Sequence, residues 1–433
     1  MHLLISPRAD SAPVDPAEPA KPAAVIIGVV EGLVTGLLNP LAADDAPEAP
    51  AGAPAVWSLL AFARRELETA LAPPSVTDAA VSLPTTSQTL VADPSTTDLQ
   101  VRAVQNSLTY TAPADPIDRL VVSGLRLAGD VFSFFGLDFG GLVGSLLASQ
   151  DPPFFLTFGL TAQQTQYEIS PGNVWKVWTF TPPEPTDRTV IALHGGGFII
   201  EPTIVHWIDY TQMARDTGAT VVVPIYPLGS TPAGSIVKVQ PVMADFISQQ
   251  IDRYGAENVS IHADSGGVTY AFGAVRELIL RGDSVPASMV LLGGQADFSG
   301  TNPDIRLIDD PFFDPDNVDF YLNYYTFDGI TDEGRDPRIS PLFMETEVLQ
   351  ALPPTTIYVG EVEFLLPDNL LLHQRAVDIG APISMVVGTG LPHDWPLGGL
   401  RTYSQTPVVR HDIYRQLGLL PDQSVATPSA LAL

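Results

Sequence analysis

The sequence predicts an α/β fold with a mostly parallel central sheet and helices on both of its faces. After about Phe158, short apolar runs of β type alternate with longer runs that have helical spacing. The short runs lack the polar alternation of half-exposed strands, which indicates strands buried on both faces. Strands of this kind that are separated by helices predict a parallel arrangement.

The elements follow in order along the second part of the chain. Strands are predicted at 174–180, 189–194, 220–224, 259–261, 288–292, 355–359 and 383–387. Helices are predicted near 204–215, 239–254, 268–280, 368–379 and 407–417. Residues 297–353 are too long for one crossover and are rich in aromatic residues, so they predict an insertion that lies over the strand ends as a cap or lid.

The first part of the chain differs in composition. Residues 1–56 are rich in Ala, Pro and Asp, and their apolar run 23–38 is short and is interrupted by Glu31. This run is unsuited to a membrane span. We interpret residues 1–56 as a pro-region, export or docking segment, with a signal peptide as the alternative.

Residues 57–160 are interpreted as a helical and linker region. An amphipathic helix is predicted at 56–71, and the apolar stretch 117–147 predicts either buried helices or a lid over an active site. The predicted catalytic domain then occupies 161–420, and residues 421–433 form a tail.

The charge balance limits the possible partners. The 433 residues include 21 Lys and Arg against 49 Asp and Glu, which gives a net charge of -28. Nucleic acids and anionic membrane surfaces are polyanions, so we expect neither as an electrostatic partner. Cysteine is absent, which excludes disulfides, thiolate metal sites and cysteine catalysis.

The stretch 258–269, NVSIHADSGGVT, has the layout of a nucleophile elbow. A short apolar strand leads to Ser265, two glycines follow, and a helical run begins at Val268. Such a turn exposes a strained serine and requires small residues two positions before and after it. Here these residues are Ala263 and Gly267, so alanine replaces the usual first glycine. A helix N-cap at Ser265 is the alternative interpretation.

A second motif, His194-Gly195-Gly196-Gly197-Phe198, follows a predicted strand. Three consecutive glycines are unfavourable in strands and helices, which indicates a close approach of backbone at this point. Beside a nucleophile, their N–H groups can bind the oxygen that becomes negative in a tetrahedral intermediate, as an oxyanion hole. A flexible turn is the alternative, but the pairing of the two motifs favours a catalytic site.

These motifs resemble the hormone-sensitive-lipase group of α/β-hydrolases. The similar text is HGGGF at 194–198, HWIDY at 206–210, ATVVVPIYPL at 219–228, GAENVSIHADSGG at 255–267 and LPHDWPL at 391–397. The resemblance covers residues 166–417. Within this group the sequence most resembles mycobacterial triacylglycerol lipases and esterases that carry PE-type or other export regions ahead of the catalytic domain. It implies an α/β-hydrolase fold and hydrolysis of small-molecule or lipid esters. A catalytically weakened lipid-binding envelope protein and a secreted serine peptidase are the alternatives.

In this fold the catalytic residues follow the chain order serine, acid, histidine, so the base must follow Ser265. Three histidines do so: His373, His393 and His411. His373 and His411 lie in predicted helices. His393 lies in a loop after the last predicted strand, from which an imidazole can reach the elbow, so we predict that His393 is the base.

The acid is expected one strand earlier, after the strand predicted at 355–359. The resemblance aligns Glu363 with a position that is usually aspartate in the family, and Glu361 and Asp368 remain alternatives. Asp394 and Trp395 are interpreted as neighbours of the base without a chemical role.

The resemblance also implies roles for the residues around Ser265. The N–H groups of Gly196, Gly197 and Gly266 are expected to bind the oxyanion, while His194, Gly195 and Asp264 support the motif loops. No metal and no organic cofactor are expected. The acidic composition, the absence of cysteine and the Ala/Pro-rich N-terminal region predict an exported protein of the cell envelope or extracellular space. Its peripheral envelope association would be through the N-terminal region.

Overall fold

The structure is a computed structural model that describes residues 106–134, 144–229, 231, 233–313, 334–397 and 403–420. The predictions for residues 1–105, for 314–333 of the insertion and for the tail after residue 420 lie outside the described residues. Within the described ranges, no helix has the length and apolar character needed to cross a membrane.

The described strands form one sheet. They are β1 (Leu108–Tyr110), β2 (Thr161–Ser170), β3 (Asn173–Thr181), β4 (Thr189–Leu193), β5 (Thr220–Ile225), β6 (Val259–Asp264), β7 (Ser288–Leu292), β8 (Thr355–Gly360) and β9 (Ile383–Gly388). Their order is β1-β9-β8-β7-β6-β4-β5-β3-β2. β3 pairs antiparallel with both β2 and β5, and the other pairs are parallel. The predicted mostly parallel sheet is thereby confirmed.

Helices connect these strands. They are α1 (Pro116–Phe134), α2 (Ile204–Thr217), α3 (Ile236–Tyr254), α4 (Gly266–Arg281), α5 (Thr346–Gln350), α6 (Leu366–Ile379) and α7 (Thr406–Gln416). Short 3-10 helices lie at Phe154–Thr157, Ala256–Asn258, Pro303–Leu307 and Pro341–Phe343. The strands and helices predicted after residue 173 therefore lie close to their expected positions.

An apolar core covers each face of the sheet. Ile191 and Leu193 of β4 belong to the core that includes α3, α4 and α6, whereas Val190 and Ala192 belong to the core beneath α2 and α7. Successive strand residues point to opposite faces, so a strand covered on both sides must be apolar at every position. This is the physical reason for the uninterrupted apolar runs in the sequence.

Two strands are absent from the sequence-based prediction. β2 is rich in Gln and Thr and has an alternating exposed pattern at the sheet edge, so it lacks the apolar run that marks the inner strands. β1 has three residues and pairs in parallel with β9. The sheet thus extends beyond the predicted domain boundary at residue 161.

Candidate active site

The predicted site segments lie at one edge of the sheet. The glycine motif follows β4, Ser265 follows β6, Glu363 follows β8 and His393 follows β9. These four strands are parallel, so their carboxyl ends point the same way. This edge is where α/β sheets place their ligand sites.

Ser265 has the backbone geometry of a nucleophile elbow. Its φ is 45° and its ψ is -121°, a strained conformation for a residue with a side chain. Gly267, two positions after Ser265, must stay glycine, because an added Cβ would lie 2.3 Å from the carbonyl oxygen of Leu193. Ala263 is fully buried in β6. The elbow therefore forms with alanine at the position usually held by glycine.

The structure brings the three predicted catalytic side chains together. Ser265 Oγ lies 3.0 Å from His393 Nε2. On the other side of the ring, His393 Nδ1 lies 3.6 Å from Glu363 Oε2, which is longer than a hydrogen bond. Glu363 is fully buried, and its Oε2 accepts a hydrogen bond of 2.9 Å from the N–H of Gly360. Catalytic contacts of this kind often shorten only when substrate binds.

The alternative residues lie elsewhere. Glu361 is exposed and accepts a hydrogen bond from the N–H of Gly390, and Asp368 accepts one from a side-chain amide in the segment after β7. His373 Nε2 lies 3.2 Å from the carbonyl oxygen of residue 106, and His411 is exposed on α7. The geometry therefore favours Glu363 and His393 among the candidates.

Asp310, from the predicted insertion, is a site neighbour that the sequence did not reveal. Its side chain is buried and accepts hydrogen bonds from the N–H groups of Phe312, at 2.8 Å, and Phe364, at 2.9 Å. Burial raises the pKa of Asp310 to about 6, against the effect of these N–H groups. Phe313 lies nearby, with its ring edge-to-face against His393 at 5.3 Å between centroids. Asp310 thus ties the insertion to the loop of the predicted acid.

The glycine loop is held by Asp264, the residue before Ser265. The N–H of Gly195 donates a hydrogen bond of 2.8 Å to Asp264 Oδ2, so it is directed away from a substrate. Gly196 and Gly197 follow with φ values of 103° and 56°. A Cβ on Gly196 would lie 2.5 Å from the carbonyl oxygen of Ile200, which explains the requirement for glycine.

His206 was not predicted to support the site, although it lies in a motif that carries the resemblance. Its Nε2 lies 3.0 Å from Asp264 Oδ2, and its Nδ1 lies 2.9 Å from the backbone nitrogen of Thr203, an N–H donor. Because Nδ1 accepts a hydrogen bond, the proton is on Nε2, which donates to Asp264. One carboxylate oxygen therefore joins the glycine loop to α2.

His194 supports the same loop from within the protein. Its ring stacks on Tyr226, with 4.4 Å between centroids, and Nδ1 lies 2.7 Å from the carbonyl oxygen of Gly195. Burial, and then the neighbouring His206, lower the pKa of His194 to about 4, so the ring is neutral near pH 7. A neutral Nδ1–H donates to that carbonyl. The predicted roles of the oxyanion glycines remain predictions.

A comparison with protein families matches residues 190–397 to the α/β hydrolase fold. Residues 190–397 have the α/β-hydrolase fold. The match includes the glycine motif, the elbow, Glu363 and His393, and it leaves β1, β2 and β3 outside.

The relatives of this chain include lipases and esterases. The chain is 36% identical over 290 residues to a triacylglycerol lipase of Mycobacterium tuberculosis, covering 64% of this chain and 58% of the relative. It is 25% identical over 208 residues to an esterase of Acinetobacter venetianus, covering 47% of this chain and 66% of the relative. The chain thus spans about three fifths of the length of the mycobacterial relative. The predicted resemblance to mycobacterial triacylglycerol lipases is confirmed.

Solved structures share the α/β-hydrolase fold of this chain. A hormone-sensitive lipase from a metagenome library superposes with a TM-score of 0.56 at 22% sequence identity. The superposition covers 71% of this chain and 99% of that structure. At this identity the likeness establishes the fold alone.

Proposed function

We propose that this chain is a serine carboxylester hydrolase of the lipase and esterase type. The observation that carries the proposal is the 3.0 Å contact between Ser265 Oγ and His393 Nε2, formed on an elbow whose serine has a φ of 45°. The names of the relatives, triacylglycerol lipase and esterase, support the same chemistry.

In the proposed reaction, His393 is the general base and Ser265 is the nucleophile. Nε2 accepts the hydroxyl proton while Oγ attacks the ester carbonyl carbon. The buried Glu363 carboxylate stabilises the positive charge that develops on the imidazole and orients the ring. The protonated Nε2 then gives its proton to the departing alcohol, which leaves an acyl group on Ser265.

The negative oxygen of the tetrahedral intermediate is proposed to bind the N–H groups of Gly196, Gly197 and Gly266. Gly266 begins α4 directly after the nucleophile, so its N–H lies at the positive end of the helix dipole. Gly195 is not part of this set, because its N–H binds Asp264. Water then attacks the acyl-enzyme with His393 again as base, which releases the carboxylic acid.

Labelling with a fluorophosphonate tests the proposal at the residue level. We expect mass spectrometry of the labelled chain to find the phosphonyl adduct on Ser265 and no adduct in Ser265→Ala. Hydrolysis of p-nitrophenyl esters from acetate to palmitate then measures the acyl length that the site accepts. A chain that binds lipid but neither reacts with the probe nor hydrolyses any ester would be a lipid-binding protein instead.

We also propose that the protein is exported, with peripheral envelope association through residues 1–56. The acidic composition, the absence of cysteine and the Ala/Pro-rich N-terminal region support this proposal. Fractionation of cells that produce the full chain tests it. Recovery of the protein in the cytoplasmic fraction alone would contradict it.

A further inference from the structure

His393 Nε2 contacts two oxygen atoms. Besides Ser265 Oγ at 3.0 Å, it lies 3.2 Å from Oδ2 of Asp394, the next residue in the chain. Asp394 has a φ of 51°, a left-handed conformation, and its side chain lies against the ring nitrogen of the preceding residue. The base is therefore flanked by a carboxylate on each ring nitrogen, with Glu363 on the Nδ1 side.

The absence of a side chain at Gly293 leaves space for the Asp394 carboxylate. A Cβ on Gly293, the residue directly after β7, would lie 2.7 Å from Asp394 Oδ1 and 2.7 Å from His393 Cε1. The side chain of Asp394 is 15% exposed, and its Oδ1 is buried with no hydrogen-bond partner among the described residues. The carboxylate is thus held close to His393 by packing.

A proton makes such a contact favourable. A neutral imidazole that accepts a hydrogen bond from the Ser265 hydroxyl presents a lone pair at Nε2. A lone pair does not attract a carboxylate oxygen. With a proton on either Nε2 or the carboxyl group, the contact between His393 and Asp394 becomes favourable. The structure therefore fits a pair that retains one proton.

The surrounding charges favour retention of that proton. Three negative groups face the pair from other elements. They are Glu363 after β8, Asp310 in the insertion and Asp264 at the end of β6. The side chain of His206 faces the pair from α2. Burial lowers the pKa of His393, but Asp394, Glu363 and Asp310 outweigh it and raise the pKa to about 10. Burial also raises the pKa of Asp394 well above its usual range, against the attraction of His393.

We propose that Asp394 is a positioning residue that retains a proton on the His393–Asp394 pair and sets the pH above which His393 becomes a base. This inference rests on the proposed function, since it needs His393 to accept the Ser265 proton. The retained proton leaves to solvent before that step. Once Nε2 has taken the proton from Ser265, the same carboxylate stabilises the imidazolium.

The pH dependence of kcat/KM for an ester substrate tests this proposal. We expect Asp394→Asn to move the acid limb of the profile to lower pH by at least about one unit, because one unit corresponds to a tenfold change in proton affinity. The alkaline plateau should fall by less than about tenfold, since the imidazolium loses one of its two flanking carboxylates. A role confined to packing would lower the whole profile without moving its midpoint.

The matched control is Glu361→Gln. This variant removes the same charge from the same sheet edge, but Glu361 is exposed and binds the N–H of Gly390. Its acid limb should stay within about 0.3 pH unit of the wild-type limb, because exposed charges are screened by solvent. An equal shift in both variants, or no shift in Asp394→Asn, would overturn the proposal.

A second measurement covers the case in which Asp394→Asn does not fold or the wild-type chain does not hydrolyse esters. The imidazole nitrogens of the wild-type full chain can be titrated by NMR with 15N-labelled histidine, using His393→Gln for assignment. We expect His393 to keep its proton through neutral pH. An ordinary titration with a midpoint near about 6.5 would overturn the inference. Ester hydrolysis that persists in Ser265→Ala would instead overturn the proposed function alone.

Discussion

Asp264 and Gly195 are joined by a hydrogen bond of 2.8 Å between the carboxylate and the backbone N–H. The residue before Ser265 therefore fixes the first glycine of the loop that follows β4. The same carboxylate oxygen accepts a hydrogen bond from His206 Nε2, so α2, the loop and the elbow are joined at one atom. The N–H groups of Gly196 and Gly197 are the donors that we propose for the oxyanion.

Replacing His206 by alanine should weaken oxyanion binding. Asp264 would still accept the hydrogen bond from the N–H of Gly195 but would lose the one from His206. We therefore expect kcat to fall by about tenfold with KM changed by less than about twofold. His206→Gln keeps a side-chain N–H donor and should recover part of the loss. Equal kcat in wild type and His206→Ala, measured with p-nitrophenyl butyrate, would show that the loop does not depend on this link.

Alanine substitutions of two histidines test the assignment of His393 as the base. We expect His393→Ala to lower kcat/KM by about 10⁴-fold or more, because a serine nucleophile is weak without its base. His411→Ala is the matched control, since His411 is exposed on α7. It should hydrolyse esters at the wild-type rate. A comparable loss in both variants would contradict the assignment.

The elbow should tolerate no side chain at Gly267. The methyl group of Gly267→Ala would meet the carbonyl oxygen of Leu193 at 2.3 Å, which is backbone and cannot move aside. We expect the free energy of unfolding to fall by about 1–3 kcal/mol in urea denaturation. Gly124→Ala is the control: this exposed position in α1 has no atom within 4 Å of the added Cβ. There the free energy of unfolding should rise by about 0.5–1 kcal/mol.

A buried ion pair away from the site should make stability depend on pH. Asp209 Oδ1 lies 2.7 Å from Arg410 Nη1, and Oδ2 lies 3.0 Å from His262 Nε2. Burial would raise the pKa of Asp209, but Arg410 and His262 outweigh it and lower the pKa to about 2, against an ordinary 3.8. Since the folded pKa is the lower one, this stabilisation is present above pH 4 and is lost as the pH falls towards 2.

Urea denaturation of Asp209→Asn checks this. At pH 7 we expect a loss of about 3–5 kcal/mol, because Arg410 stays buried without its carboxylate. The difference from wild type should shrink between about pH 4 and pH 2, where the wild-type carboxylate also becomes protonated. Asp252→Asn, at an exposed position of α3, should be neutral. A difference that stays constant with pH would contradict the account.

The inner strands and the elbow at Ser265 could be predicted because their signals are local. A strand covered on both faces is apolar at consecutive positions, as in β6 and β7, and an elbow needs small residues at fixed spacing around Ser265. β2 escaped prediction because its residues are polar and it lies at the sheet edge. β1 is too short to show a period.

The supporting residues of the site could not be predicted because their partners are distant in sequence. Asp310 binds a residue 54 positions later, and His206 binds one 58 positions later. Asp394 is adjacent to His393, but its contact with Nε2 depends on a positive φ and on the space at Gly293. These contacts follow from the packing of separate loops, which a single sequence does not display.

The central claim is tested most directly by ester hydrolysis with and without the Ser265 hydroxyl. Purified wild-type chain and Ser265→Ala would be compared with p-nitrophenyl esters across the acyl series at alkaline pH. We expect wild type to turn over and Ser265→Ala to be slower by about 10⁴-fold or more, because the residual rate comes from binding and the oxyanion site alone. Equal turnover by the two proteins would contradict the claim that Ser265 is the nucleophile.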